Sequence, residues 1–231
     1  MAISDPFSGF RGNTLSLKAP DGLSAASLLM PDAGTESVGI TVTRALTDGA
    51  TRVELGLKVA RDGGGTLSLN GTDGANLASV ALGVTQDLGD AAFFSISGEV
   101  GMTDLGGATA LTSATTAAFN SVSLKAGARN VFAAGDRLTI GVGLPVAVSS
   151  GSTEVSLPVI RSNAAGTRSV AYEPIELDLA PEDRQIDMEV SYQTSLAEGL
   201  EMKWSVVHSD NFGNRAGETD TGGALAFTFR F

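Results

Sequence analysis

Apolar and polar residues alternate at every second position along most of the chain. In residues 51–61 the apolar positions are Val53, Leu55, Leu57 and Val59. The same alternation recurs in residues 185–196 and 200–208. A period of two places successive side chains on opposite faces of a β-strand, whereas a helix needs a period of 3.6. The pattern predicts an all-β protein.

The alternating runs are about ten residues long and are separated by turn sequences rich in Gly and Asp. These turns lie at residues 47–49, 88–90, 134–136 and 198–199. Soluble strands average about 5–6 residues, whereas tilted membrane-spanning strands need about 9–11. The run lengths favour an antiparallel, transmembrane-type up-and-down β-barrel of about twelve strands.

Three connections are long, at residues 62–75, 103–118 and 210–221. When the connections between successive strands are numbered back from the C-terminus, all three long ones have odd numbers. Alternate connections of an antiparallel chain lie at the same end, so we expect all three at one end of the barrel. Short turns at one rim and long loops at the other are typical of outer-membrane barrels. Pro158 and Pro174 stand inside strand-like segments, and because proline lacks a ladder donor we expect a bulge or broken strand within residues 151–179.

Alternation alone does not decide which face meets water. A soluble sandwich buries its apolar face, whereas a membrane barrel turns that face to lipid and lines its lumen with polar residues. The polar positions mix positive and negative charges, which could pair across a narrow lumen. On the barrel interpretation the lumen-facing polar residues are Arg52, Glu54, Lys58, Lys125, Arg129, Arg137, Asp187, Glu189, Glu201 and Lys203.

The C-terminus favours the membrane interpretation. Its last alternating residues are Leu225, Phe227, Phe229 and Phe231. A soluble protein ending in this way would carry an exposed, aggregation-prone edge strand. The segment resembles the closing strand of bacterial outer-membrane proteins, which the barrel-assembly machinery recognises, so we expect these four residues to act as an assembly signal.

Composition excludes several functions. The formal net charge of −11 argues against a nucleic-acid partner, which needs a basic face. The chain has no cysteine and one histidine, His208, so a zinc site and a Ser-His-Asp triad are both disfavoured. We therefore expect no enzymatic activity, no metal and no cofactor.

A narrower resemblance covers about residues 119–231. It rests on GDRL at 135–138, LPV at 144–146 and SGS at 150–152, then ELDLAPE at 176–182, RQID at 184–187 and Tyr192. These stretches resemble the C-terminal barrel of alphaproteobacterial subtilisin-like autotransporters. The resemblance implies a translocator in the Gram-negative outer membrane that anchors an N-terminal passenger and assists its export, with outer-membrane lipid, the assembly machinery and the passenger as partners.

On this interpretation residues 1–12 are a stub leading from the passenger, and residues 13–231 form a single barrel domain. The first residues lack the basic head and apolar stretch of a signal peptide, so we expect the natural precursor to begin upstream of Met1.

Two alternatives stay open. A secreted, soluble β-sandwich or barrel with a binding or structural role accounts better for the acidic charge. It also accounts better for the low aromatic content of 6%, which makes only thin aromatic girdles. A narrow outer-membrane pore for small solutes is the second alternative.

Overall fold

The computed structural model describes residues 13–20, 23–30, 38–62, 75–104, 115–162 and 169–229, and these form thirteen β-strands with one short 3₁₀ turn, Phe212–Asn214. The strands are β1 Asn13–Lys18, β2 Ser24–Met30, β3 Val38–Asp48, β4 Thr51–Asp62, β5 Ala75–Leu88, β6 Ala92–Asp104, β7 Thr116–Arg129, β8 Arg137–Ser150, β9 Ser152–Ser162, β10 Ser169–Asp178, β11 Ile186–Ala197, β12 Leu200–Asp210 and β13 Thr219–Phe229. The predicted all-β fold is confirmed. In the described ranges no helix is long and apolar enough to cross a membrane.

Eleven strands form one antiparallel sheet in the order β1-β2-β3-β4-β5-β6-β7-β8-β11-β12-β13, and β9 and β10 form a separate two-stranded sheet. The predicted up-and-down connectivity is therefore confirmed, with one excursion between β8 and β11. Over the described residues β1 pairs only with β2 and β13 only with β12, so the sheet is not closed between its outer strands. Residues 1–12, the expected stub, lie outside the described residues.

The β9–β10 hairpin continues the β8–β11 ladder in the same register. Gly143 pairs with Asp187 in the large sheet and Ser152 pairs with Asp178 in the hairpin, and the numbers of the paired residues add to the same value. Pro158 and Pro174 lie within regularly paired parts of the hairpin. The expected irregularity within residues 151–179 is a register shift between Ser169 and Val170, away from both prolines. The ladder is interrupted between residues 144–150 and 180–186, where β8 also bulges against β7.

The two edges of the large sheet differ in their connections. One border of the sheet is formed by the strand ends that are joined by residues 49–50, 89–91, 130–136 and 198–199. It is called here the short-turn edge. The opposite, long-loop edge holds the connections 31–37, 63–74, 105–115 and 211–218 together with the β9–β10 hairpin. The predicted placement of the three long connections at one edge follows from the strand order, although residues 63–74 and 105–114 themselves lie outside the described residues.

The short-turn edge is staggered from strand to strand. Leu88 and Ala92, the last pair before the β5–β6 turn, share a row of paired residues with Trp204, which already lies four residues inside β12. The row through Ser24, the first residue of β2, reaches β5 at Leu82, six residues before that strand ends. Together the two rows show that the edge shifts by about one residue per strand, the kind of stagger that tilts strands in barrels.

The sheet buries its polar face and exposes its apolar face. Leu57, Leu82 and Ile140 are 55%, 52% and 59% exposed, whereas Thr41 and Ser79 on the other face are 4% and 7% exposed. A flat sheet would expose both faces alike. The asymmetry means that the sheet curls around its polar face, which is the reverse of the arrangement in a soluble antiparallel sheet.

Apolar side chains on the concave face gather near the long-loop edge, where Leu29, Ala60, Leu77 and Phe119 form a buried cluster. The ring of Phe119 occupies the space of a missing side chain, because a Cβ on Gly101 would come within 2.4 Å of it. Phe93 covers Gly127 in the same way, at 2.2 Å. Each ring therefore lies along the wall against the glycine paired with it on the neighbouring strand.

Candidate functional site: the polar interior of the curled sheet

The structure places all ten predicted lumen-facing residues on the concave polar face. The strands that carry them are β4, β7, β8, β11 and β12. Period-two alternation is sufficient to predict this common face, because every second residue of a regular strand points to the same side. The contacts between these residues depend on the register between strands.

The interior of β4 carries two ion pairs. Lys58 Nζ lies 2.6 Å from Glu99 Oε1 on β6, and both side chains are largely buried. The Ser79 hydroxyl on β5, the strand between them, donates to the same carboxylate. Arg52 Nε donates to Glu54 Oε1 at 2.7 Å. The lysine charge is therefore compensated within the wall, as burial of a charge requires.

Lys125 on β7 reaches across β8 to Glu189 on β11, with 3.5 Å between Nζ and Oε2. Gly141 is paired with both residues and lies between them. A Cβ on Gly141 would come within 3.3 Å of Lys125 Cγ. Glycine at this position therefore leaves the space through which the lysine chain crosses the strand.

Near the short-turn edge the arginines pair with an acid and an aromatic ring. The Arg129 guanidinium donates to Asp87 on β5. The Arg137 guanidinium lies 3.8 Å from the centre of the Phe93 ring, a distance suited to a cation–π contact. Phe93 thus fills the space over Gly127 and also supports a partly buried positive charge.

The charges on β11 and β12 are held mainly by hydrogen bonds. Asp187 Oδ1 accepts from Ser209 Oγ and from Gln185 Nε2, both at 2.7 Å. Glu201 accepts from Gln193 at 3.3 Å. Lys203 is exposed, beside the outermost strand β13.

Two partners in this network were missing from the sequence prediction, Glu99 and Asp87. Both stand at the polar alternate positions of their strands, so the same alternation could have predicted that they face the interior. The predicted residues and these two partners make a set of six positive and six negative residues: Arg52, Lys58, Lys125, Arg129, Arg137 and Lys203 against Glu54, Asp87, Glu99, Asp187, Glu189 and Glu201. This set has no net charge, so the acidic excess of the chain lies in other residues.

The β7–β8 turn is organised around Asp136, which the sequence indicated only as a turn residue. Its carboxylate accepts hydrogen bonds from the backbone N–H groups of Val131, Phe132 and Ala133 at 2.6–2.8 Å and from the Tyr192 hydroxyl at 2.9 Å. Burial by itself raises the pKa of Asp136, but these hydrogen bonds outweigh it and hold the pKa below its ordinary value of 3.8.

We predict that Asp136→Asn lowers the stability of the folded protein at neutral pH, because an amide cannot accept from all four donors. A pKa that folding depresses adds stability above the pKa of the unfolded chain, and this stability is lost as the pH falls through the folded-state value. The difference between wild type and variant should therefore shrink as the pH falls below about 4. Urea unfolding at several pH values measures it, with Asp90→Asn in the exposed β5–β6 turn as control. A difference that stays constant with pH would contradict this prediction.

Three residues of the expected assembly signal lie on the outermost strand, β13. Leu225 and Phe227 are exposed on the apolar face of β13, and Phe229 is the last residue of that strand. Phe231 lies outside the described residues. Their role in assembly stays a prediction.

No catalytic or metal arrangement is found among the described residues. His208 Nδ1 lies 2.8 Å from the Thr221 hydroxyl on β13, and no group of three or more His, Cys, Asp or Glu residues in the described ranges could hold a metal ion. The absence of enzymatic activity stays a prediction.

Comparison of the chain with protein-family models, with curated proteins and with solved structures finds no match. The resemblance to autotransporter barrels therefore stays an expectation from the sequence.

Proposed function

We propose that the chain is a β-barrel of the Gram-negative outer membrane that anchors a polypeptide joined to its N-terminus and assists its export. The observation that carries the proposal is the reversed burial of the sheet, with apolar side chains outside and paired charges inside. In water this arrangement exposes a large apolar surface and gains little from hydrophobic burial. In a bilayer the same surface faces hydrocarbon.

The dimensions of the apolar face support this proposal. On β6 the exposed apolar face runs from Phe94 to Met102 and ends at Asp104. Eight residues extend about 26 Å along the strand. That is about 20 Å along the axis of a barrel whose strands tilt by about 40°, and side chains add several ångströms, against an apolar band of about 25 Å in outer-membrane barrels.

Closure into a barrel is part of the proposal. A stagger of about one residue per strand, as along the short-turn edge, is what a barrel of tilted strands needs. Antiparallel closure requires an even number of strands, so one strand is needed in addition to the eleven of the large sheet. Closure with one added strand would give twelve, the strand number predicted from the sequence.

The paired interior supports a role in passing or holding a polypeptide. Lys58 and Lys125 are each neutralised by a glutamate of the wall, so the interior offers polar groups without a strong field of either sign. Such a wall stays wet and does not trap a chain of either charge. These contacts also fit the second candidate, a narrow pore, although the apolar cluster around Leu29 and Phe119 would restrict the passage of small solutes.

The membrane part of the proposal is tested by refolding the 231-residue chain into detergent micelles and into phosphatidylcholine vesicles. We expect an unheated sample to migrate differently from a boiled one on a denaturing gel and the protein to float with the vesicles. Native β-structure in buffer without detergent, with no vesicle association, would contradict the proposal.

The export part is tested in cells with a signal peptide and an epitope attached before Met1. We expect antibody added to intact cells to reach the epitope. An inserted barrel whose epitope stays inaccessible would remove the export role and leave the anchor, and channel conductance in planar bilayers would then favour the pore.

A further inference from the structure

Aromatic side chains on the apolar face of the large sheet gather at the short-turn edge. Phe94, Tyr192, Trp204 and Phe227 each lie within five residues of the short-turn end of their strand. Phe132 lies in the β7–β8 turn itself. Phe94, Phe132 and Phe227 are exposed, whereas Tyr192 and Trp204 are half-buried. Exposed aromatics elsewhere in the described ranges are Tyr172, on the hairpin, and Phe212, in the β12–β13 connection. The half of the apolar face toward the long-loop edge carries aliphatic residues such as Val59 and Val100.

The stagger of the sheet brings these residues to one level. The row of paired residues through Phe94 crosses β12 at Val206 and β13 at Gly223. Trp204 lies two residues closer to the short-turn edge than Val206, and Phe227 lies four residues closer than Gly223. Because the short-turn edge itself shifts in the same direction, all keep a similar distance from it.

The central part of this group is packed and oriented. The rings of Tyr192 and Trp204 are 6.3 Å apart, and the Phe132 ring meets Tyr192 edge-on at 5.7 Å. The Tyr192 hydroxyl points toward the turn, where it donates to Asp136 at 2.9 Å. The tyrosine therefore presents its polar tip to the turn and its ring to the apolar face, which is the orientation that amphipathic aromatics adopt at a membrane surface.

We infer that these aromatic residues form a single, one-sided belt that binds the interface between lipid headgroups and hydrocarbon on the short-turn side of the membrane. This inference rests on the proposed function and adds the depth of the protein in the bilayer. From this belt the apolar surface extends toward the long-loop edge, where Arg61, Asn76 and Asp104 end the apolar faces of β4, β5 and β6.

The test uses Trp204, the one tryptophan of the chain, as its own reporter. The wild-type protein is refolded into vesicles whose lipids carry bromine either near the headgroup end of the acyl chain or near its methyl end. We expect the shallow bromines to cause the larger loss of tryptophan emission, because bromine quenches only in close contact.

The matched control moves the reporter to the middle of the apolar face in the variant Trp204→Phe/Leu57→Trp. Here the deep bromines should cause the larger loss. A wild-type maximum with deep bromines, or quenching of the control alone, overturns the inferred depth while leaving the barrel in place. Quenching of neither protein by any brominated lipid means that the chain does not insert, and the proposed function fails with it.

Discussion

Replacing Leu82 with arginine is expected to lower the free energy of unfolding in lipid by about 2–4 kcal/mol. Leu82 is 52% exposed near the middle of the apolar face on β5. In a water-soluble protein such an exposed position tolerates charge within about 0.5 kcal/mol. In a bilayer the guanidinium would lie at hydrocarbon depth, so the size of the effect reports which solvent this face meets.

The matched control is Asn76→Arg, on the same strand and the same face but at the long-loop edge, where Asn76 hydrogen-bonds Asp104. An arginine there lies outside the proposed hydrocarbon layer and can pair with the same carboxylate. Urea unfolding in vesicles compares the two variants. Equal, small effects would mean that the apolar face is hydrated and would favour a soluble protein.

Replacing Lys58 with methionine is expected to cost about 3 kcal/mol, because it leaves a buried carboxylate without its positive partner. The side chains of Lys58 and Glu99 are 10% and 17% exposed, and their charged atoms are 2.6 Å apart. Methionine keeps the length and apolar volume of the lysine stem, so the loss is electrostatic. Unfolding in detergent micelles measures it.

The double variant Lys58→Met/Glu99→Gln separates an uncompensated charge from a packing defect. Removing both charges should recover most of the lost stability, since an amide in place of the carboxylate can still bond the Ser79 hydroxyl. A double variant as unstable as the single one would show that Lys58 acts through packing. The matched pair Arg52→Met and Arg52→Met/Glu54→Gln, at a more exposed site, should show a smaller effect.

The alternating pattern is enough to predict the strands and their two faces. Alternation is a local property of an extended chain, so Val53, Leu55 and Leu57 had to lie on one side of β4, with Arg52 and Glu54 on the other. For the same reason the ten polar residues could be assigned to one face without knowledge of their neighbours. The common edge of the long connections followed from the alternating direction of an antiparallel chain.

The pairing of the interior charges depends on how the strands are aligned with one another. Lys58 on β4 pairs with Glu99 on β6 because the register of both strands against β5, which lies between them, brings the two side chains together. Lys125 reaches Glu189 because the residue between them is Gly141. Register depends on turn lengths and on contacts between distant strands, which the local pattern does not contain. The interruption of the β8–β11 ladder also follows from packing. In the segment between β10 and β11, Arg184 donates hydrogen bonds to Asn120 and to the Pro145 carbonyl.

The aromatic belt shows the same limit. In sequence Phe94, Tyr192, Trp204 and Phe227 are scattered, and their small number indicated only thin girdles. The stagger of the strands brings them to a similar distance from the short-turn edge, because each strand is shifted by about one residue relative to its neighbour. Alternation also does not predict the direction in which the sheet curls, because the curl depends on the twist and packing of the whole sheet. This direction places Ser79 inside and Leu82 outside.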